Sequence, residues 1–320
     1  MLSIAVGSLC VSVAFGQQRT ARPAPRAAAA LQRQLAEQYT IQRDVEYGKA
    51  GDRALLLDLI VPKAKSGKPR PVIVWIHGGG WQNGNKDSGA GRLAPLLAGG
   101  EYIGASIGYR LSGEATWPAQ IYDCKAAIRW LRASAAQYNI DPERIGLWGS
   151  SAGGHLVSLL GTSGEVKELE GNGGNAGYSS RVACVVDFCG PSDFLAFGLQ
   201  SPRMQQPEAP LYKLFGGPLA EKETQARAAS PVTHVSADDP PFLVVHGTQD
   251  NTVPVKQAEL FEAALKKAGV DVTYVKMEGG GHGIGGPEIT RRVGQFFARH
   301  LLGKDVTVSS EPIAVLPVAR

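Results

Sequence analysis

Ser151, Asp250 and His282 supply, in that chain order, a hydroxyl, a carboxylate and an imidazole. Together these groups can perform nucleophilic acyl transfer. A serine hydroxyl is a weak nucleophile until a base takes its proton, and an imidazole does this well only when an acid fixes its tautomer and stabilises its charged form. Ser151 is the candidate nucleophile because it centres Gly149-Ser150-Ser151-Ala152-Gly153, a G-x-S-x-G pentapeptide. That pattern marks a sharp strand-to-helix turn that lifts the serine out of the backbone. In a chain this rich in glycine about 0.3 such matches arise by chance, so the surrounding residues must decide.

Those surroundings carry the remaining parts of such a site. Ile76-His77-Gly78-Gly79-Gly80-Trp81 follows an apolar run, and consecutive glycines let backbone N–H groups converge on a developing oxyanion with no side chain in the way. Gly79 and Gly80 are candidate donors, and the N–H of Ala152, directly after the nucleophile, is the third. Trp81 beside them either lines an acyl pocket or packs in the core. Of six histidines, His282 is the candidate base, because Glu278-Gly279-Gly280-Gly281-His282-Gly283 puts it on a loop after a strand-like run. His77 is expected to brace its own loop and His155 to pack in the helix behind the serine. His246 ends a strand, and His234 and His300 lack context. Asp250 is the candidate acid, just beyond Leu243-Val244-Val245-His246-Gly247; it could instead cap the next helix, and Asp193 is the runner-up.

These residues need a scaffold that brings distant loops together, and the hydropathy pattern describes one. Residues 44–47 and 54–61 read as a hairpin around the turn cluster Gly48-Lys49-Ala50-Gly51-Asp52. Further strand-like runs cover 71–76, 102–109, 145–148, 182–188, 241–246 and 272–277. Most lack alternation, as expected of strands buried on both faces. Helical spacing appears from Trp117-Pro118 onward, after Gly153, over 254–268 and over 287–302. Alternating strands and helices argue for a mostly parallel sheet covered on both sides. Residues 161–180 read as a surface loop, and 194–228 as an insertion able to cap a site.

Composition limits the alternatives. The chain has 320 residues, 43% apolar and 19% charged, with a net charge of +4. Several of its arginines lie in the first 43 residues rather than in a stripe, which disfavours nucleic acid as a partner. Residues 4–15 form a short apolar run with small residues at 14 and 16, the pattern of a secretory signal cleaved before Gln17. The run is too short for stable membrane insertion. Cleavage would leave Cys124, Cys184 and Cys189 in an oxidising compartment. A bridge from Cys124 to Cys184 or Cys189 and three buried free thiols both remain open. No metal-ligand spacing occurs, and neither a metal nor a cofactor is expected.

Taken in order, several segments resemble the α/β-hydrolase superfamily: His77-Gly78-Gly79-Gly80-Trp81, Gly108-Tyr109-Arg110-Leu111-Ser112, Gly149 to His155, His246 to Asp250 with Val253-Pro254, and Gly281-His282-Gly283. The chain is similar to hormone-sensitive-lipase-like esterases and to bacterial acetylxylan and feruloyl esterase-type (BD-FAE-like) enzymes. The resemblance implies an α/β-hydrolase fold with a mostly parallel eight-stranded sheet, helices on both faces and an antiparallel N-terminal hairpin. It implies a serine esterase with the triad Ser151, Asp250 and His282 and an oxyanion hole at Gly79, Gly80 and Ala152. The expected organisation is a signal peptide (1–16), a tether (17–43), the hydrolase domain (44–302, with 194–228 as the cap) and a loosely attached tail (303–320). The expected partner is a small-molecule or oligosaccharide ester. Ser112-Gly113-Glu114 departs from the Ala-Pro-Glu of the lipase branch, which argues against bulky lipid substrates. The same fold also hosts amide hydrolases, such as arylformamidases and peptidases, and non-catalytic ligand receptors. Receptors usually lose the nucleophile or the base.

Overall fold

Aliphatic and β-branched runs without alternation have no solvent face, so they settle at the centre of a sheet. The computed structural model describes Ala30, Arg33 and residues 35–164 and 166–315; the expected signal peptide and most of the tether lie outside these. β3 (Arg70–Ile76) is the clearest case: Val72, Ile73, Val74 and Ile76 have no exposed surface. Burying each such side chain contributes roughly 1.5–3 kcal/mol. The neighbouring strands are β4 (Ile103–Ile107) and β5 (Ile140–Ser150), both parallel to β3. β6 (Cys184–Phe188), β7 (Phe242–Gly247) and β8 (Val272–Glu278) continue the parallel series.

β1 (Tyr39–Ala50) and β2 (Arg53–Pro62) form the expected antiparallel hairpin, and β2 joins β4 antiparallel. The sheet has nine strands rather than eight, in the order β1-β2-β4-β3-β5-β6-β7-β8-β9. The ninth, β9 (Ile313–Ala314), lies in the segment expected to be a loose tail. That segment is held because Arg292, a nearly buried guanidinium, donates to the carbonyls of Ser309 at 2.9 Å and Glu311 at 2.5 Å. At the other end β1 begins at Tyr39, inside the expected tether, and the Tyr39 hydroxyl donates to the Leu97 carbonyl at 2.5 Å.

The helices that build the core and the site are α1 (Gly89–Leu97), α2 (Ala119–Ala133), α3 (Ala152–Thr162), α4 (Phe194–Gln200), α5 (Pro210–Phe215), α6 (Glu223–Ala229), α7 (Pro231–His234), α8 (Lys256–Ala268) and α9 (Pro287–Leu302), with one further turn of helix at Ala135–Tyr138. α2, α3 and α8 pack on one face of the sheet, with Leu147, Val185 and Val244 beneath them; α1 and α9 pack on the other, over Ile73, Trp148 and Val186. The three described cysteines are free and buried, and the sheet explains why: Cys124 lies in the first core and Cys184 and Cys189 in the second.

β3 has β4 on one side and β5 on the other, so the chain reverses its direction of travel across the sheet at β3. In an open parallel sheet this switch point leaves a crevice at the carboxyl ends of the strands. The His77–Trp81 segment leaves β3 there, and the Gly149–Gly153 segment leaves β5 beside it.

The loop after α3 is anchored below by a buried charge cluster. Lys125 of α2, with no exposed surface, donates to the Ser163 carbonyl at 2.6 Å and to Glu170 at 2.7 Å, and Arg129 donates to Glu170 at 2.6 Å. Burial pushes the Lys125 ammonium down. Burial would raise the Glu170 carboxyl, but the bonds from Lys125 and Ser180 hold it below its ordinary value. Replacing Glu170 by Ala leaves two buried cations without their anion, a change that typically costs about 3–5 kcal/mol. Lys125 then stays charged only with difficulty in the folded state, so the unfolded state binds more protons and stability recovers as pH rises. Urea unfolding of Glu170→Ala should therefore show a larger loss at pH 6 than at pH 9.

Candidate active site

The turn after β5 is set by three close approaches. Ser151 has φ +58° and ψ −120°, outside the regions favoured by L-residues, and α3 begins with the next residue. A Cβ at Gly149 would stand 2.2 Å from the Gly153 carbonyl oxygen, and one at Gly153 would stand 2.1 Å from that of Ile76. Only glycine allows the strand end, the helix start and the end of β3 to meet this closely. The Ser151 amide donates to the Phe188 carbonyl at 2.8 Å, which fixes the turn to β6.

Ser151 Oγ lies 2.8 Å from His282 Nε2, and His282 Nδ1 lies 2.7 Å from Asp250 Oδ2. A carboxylate only accepts, so the Nδ1 proton points at Asp250 and Nε2 is left to accept the serine proton. The loops bearing these groups are joined by backbone bonds: Thr248 N to Met277 O at 3.0 Å and Gln249 N to Gly280 O at 2.8 Å. Asp250 also caps the turn that follows it, because its Oδ1 accepts from Thr252 N at 2.8 Å and Val253 N at 2.9 Å. The capping and acid readings of Asp250 therefore describe the two oxygens of one carboxylate. Asp193 does not reach His282; it caps α4 by accepting from Ala196 N at 3.0 Å.

Burial would raise the Asp250 carboxyl, yet the hydrogen bonds from His246 and His282 hold it well below the usual carboxylate range. For His282, burial favours the neutral ring, whereas a thiolate at Cys189 would favour the imidazolium and the bond to Asp250 does favour it, and the net direction is up. Cys189 Sγ donates to the His282 carbonyl at 3.4 Å, the geometry of a thiol, so we assign the rise to Asp250.

Ligand atoms of Cys189, Asp250 and His282 lie within 4.8 Å of one another, a grouping that their separation in sequence hides. Asp250 accepts three hydrogen bonds, two on Oδ1 and one on Oδ2, and the N–H of His246 stands 3.2 Å from Oδ2.

The loop after β3 faces the serine. Gly79 has φ +116° and Gly80 φ +60°, conformations that bring successive amides to one side. Among the described residues, none accepts from the Gly79 or Gly80 amide. The Ala152 amide, at the first helical position, has no partner within α3. The loop is braced as expected by His77, whose Nδ1 donates to the Gly78 carbonyl at 2.7 Å and whose ring stacks on Tyr109.

Trp81 is buried rather than open to a pocket. Its Nε1 donates to His155 Nδ1 at 3.1 Å, and His155 Nε2 donates to the Ala229 carbonyl at 2.8 Å. Burial lowers the His155 pKa to about 4, so the ring stays neutral and can accept from the indole. Phe194 of the 194–228 insertion packs against both rings. A Cβ at Gly80 would lie 3.1 Å from Pro210, so α5 stands over the same loop. The sequence reading left His155 and His246 without these links. Their spacing was the available signal: His155 lies four residues after Ser151 on α3, and His246 four before Asp250 across a tight turn.

Beneath the turn, Asp187 of β6 accepts from Gly190 N at 2.9 Å and Ser158 Oγ at 3.0 Å. Burial raises its pKa from 3.8 to about 6. Between those values the folded state binds more protons than the unfolded chain, so stability falls as pH rises through the window, by roughly 3 kcal/mol. Asp187→Asn should flatten that fall, as read from chemical unfolding at pH 4, 5, 6 and 7. An unchanged slope would show that Asp187 is not its source.

The BD-FAE family model matches residues 57–265. The probable carboxylic ester hydrolase LipM of Mycobacterium tuberculosis is 37% identical over 240 residues, covering 72% of this chain and 52% of its own length. Esterase LipC of the same organism is 32% identical over 248 residues, covering 77% and 60%. The chain thus spans less than two thirds of the length of these relatives. A solved truncated carbohydrate esterase from gut microbiota superposes with a TM-score of 0.75 at 32% identity, covering 83% of this chain and 97% of that one. Thermogutta terrifontis esterase 2 phosphorylated by paraoxon superposes with a TM-score of 0.67 at 26% identity, covering 84% and 96%. With this sheet, this turn and a family match over most of its length, the chain belongs to the BD-FAE family of the α/β-hydrolase fold.

Proposed function

We propose that the protein is a serine hydrolase that cleaves short acyl or aryl carboxylic esters through an acyl-enzyme on Ser151. The observation that carries this is the unbroken hydrogen-bond chain from Ser151 Oγ through His282 to Asp250, starting at a serine held in a strained turn. Ser151 Oγ attacks the ester carbonyl as His282 Nε2 takes its proton, and Asp250 stabilises the resulting imidazolium. The tetrahedral oxyanion forms among the amides of Gly79, Gly80 and Ala152, where the N-terminus of α3 also favours negative charge. His282 then gives its proton to the leaving alcohol, and water repeats the cycle on the acyl-enzyme.

Small acyl groups are the reading we favour, with α5 packed beside the Gly80 segment of the loop that would hold the oxyanion. Solved forms of Thermogutta terrifontis esterase 2 with propionate and with butyrate bound, 30% and 29% identical to this chain, support the same reading. The carbohydrate esterase among the similar structures makes acetyl and feruloyl groups on plant polysaccharide the substrates to test first. Export through the apolar run at 4–15 completes the proposal, and a mature N-terminus other than Gln17 would count against that part.

Paraoxon should add one diethylphosphoryl group to the folded protein, located at Ser151 by peptide mass spectrometry. Ser151→Ala should lose labelling and reduce hydrolysis of p-nitrophenyl acetate by about 10⁵–10⁶-fold. A folded wild-type protein that paraoxon leaves unmodified would sink the enzyme reading. Across acetate, butyrate and octanoate esters kcat/KM should fall with chain length, and acetylated xylan or methyl ferulate should be cleaved. Preference for octanoate would overturn the short-chain reading, and faster cleavage of matched amides the ester reading.

A further inference from the structure

His246 lies at the end of β7 with no exposed surface, and the acyl-transfer scheme gives it no task. Its Nε2 is 2.8 Å from the Val253 carbonyl oxygen and 3.2 Å from Asp250 Oδ2. A carbonyl oxygen only accepts, so Nε2 carries the ring proton and donates it to Val253, with Asp250 Oδ2 close beside that bond. Nδ1 is buried with no hydrogen-bond partner, as an unprotonated nitrogen can be. Asp250 Oδ2 therefore accepts from His282 Nδ1 and has a second imidazole N–H, that of His246, 3.2 Å away.

We propose that His246 is a positioning residue for the reaction, a fourth member of the chain Ser151–His282–Asp250–His246 that governs how strongly Asp250 holds the His282 proton. The inference rests on the triad reading of the preceding subsection. Two donors on one oxygen compete for the same negative charge, so strengthening one bond weakens the other. The direct contribution is geometric as well: with His246, Thr252 and Val253 all donating, Asp250 cannot rotate away from His282 without leaving buried donors unpaired. The depressed Asp250 carboxyl, held down by both His246 and His282, agrees with this arrangement.

The sign of the effect follows. Without the His246 donor, more negative charge is available to His282, its imidazolium becomes more stable, and deprotonation to the active base requires a higher pH. The other ionisable groups facing His246 are Asp187 on β6, which lies close enough to interact with it, and Lys276, its register partner on β8. Lys276 is partly engaged with Glu259 of α8 at 3.7 Å. Asp187 titrates near the expected window, so the comparison is made with and without it.

The test uses the full chain with p-nitrophenyl acetate from pH 5 to 9. His246→Phe removes the donor and keeps ring bulk; His246→Gln puts an amide N–H near the Nε2 position. The acid limb of kcat/KM should move up by about 0.5–1 pH unit in His246→Phe. It should return to the wild-type position in His246→Gln, and both results should persist in an Asp187→Asn background. A folded His246→Phe protein with an unmoved acid limb would overturn the proposal. Nitrogen-15 chemical shifts of the unsubstituted protein give a readout that needs no variant. His246 should be protonated at Nε2 and bare at Nδ1, and the opposite tautomer would also overturn it. Absence of any hydrolysis by wild type would instead defeat the esterase reading, leaving the tautomer measurement to judge His246.

Discussion

The turn at Ser151 is the constraint to which the rest of the molecule is fitted. A non-glycine residue at φ +58° costs on the order of 1–3 kcal/mol and persists only when its surroundings over-determine it. Here they do. The Ser151 amide is bonded to β6, the following helix is buried along its whole length, and Gly149 and Gly153 let three backbone segments touch. Relaxing the turn would pull α3 off the sheet and separate the ends of β3 and β5. The placement of the serine hydroxyl is therefore a consequence of the core beneath it, and a stable core is what keeps the Ser151 backbone in its strained conformation.

Around that turn, polar side chains do two tasks at once. Asp250 orients His282 with one oxygen and caps its own turn with the other. His155 accepts from Trp81 and donates to the Ala229 carbonyl, so hydrogen bonds tie the elbow helix to the His77–Trp81 loop and to the end of α6. Such sharing reflects burial: a donor or acceptor enclosed by the sheet and helices must be satisfied inside the protein. Few partners are available there, and each serves several segments.

Residues 194–215 pack against the His77–Trp81 loop from the side opposite α3. Phe194 packs on Trp81 and His155, and Pro210 approaches Gly80, so the same loop is supported from below by α3 and limited from above by α5. The family match, which spans β2 to α8, includes this region.

The positions of Ser151, Asp250 and His282 were readable in the sequence because each follows an apolar strand and sits among glycines or at a turn, local features that backbone sterics impose. The inner strands β3 to β7 were readable because two-sided burial favours uninterrupted apolar runs, whereas the β1–β2 hairpin was read from its turn cluster. What required the folded chain was everything that depends on atoms meeting across the sheet. Sequence spacing left Asp250 and Asp193 both open as the acid, and only the packing of two loops puts Asp250 against His282 while Asp193 caps a helix. It left Trp81 between pocket and core, and the indole N–H found His155 in the core. It gave no sign that a tail would be fastened by Arg292, or that His246 would touch the back of Asp250. Hydropathy and turn chemistry are written along the chain, whereas hydrogen-bond partnership is decided by the distance between chains of atoms that the sequence holds far apart.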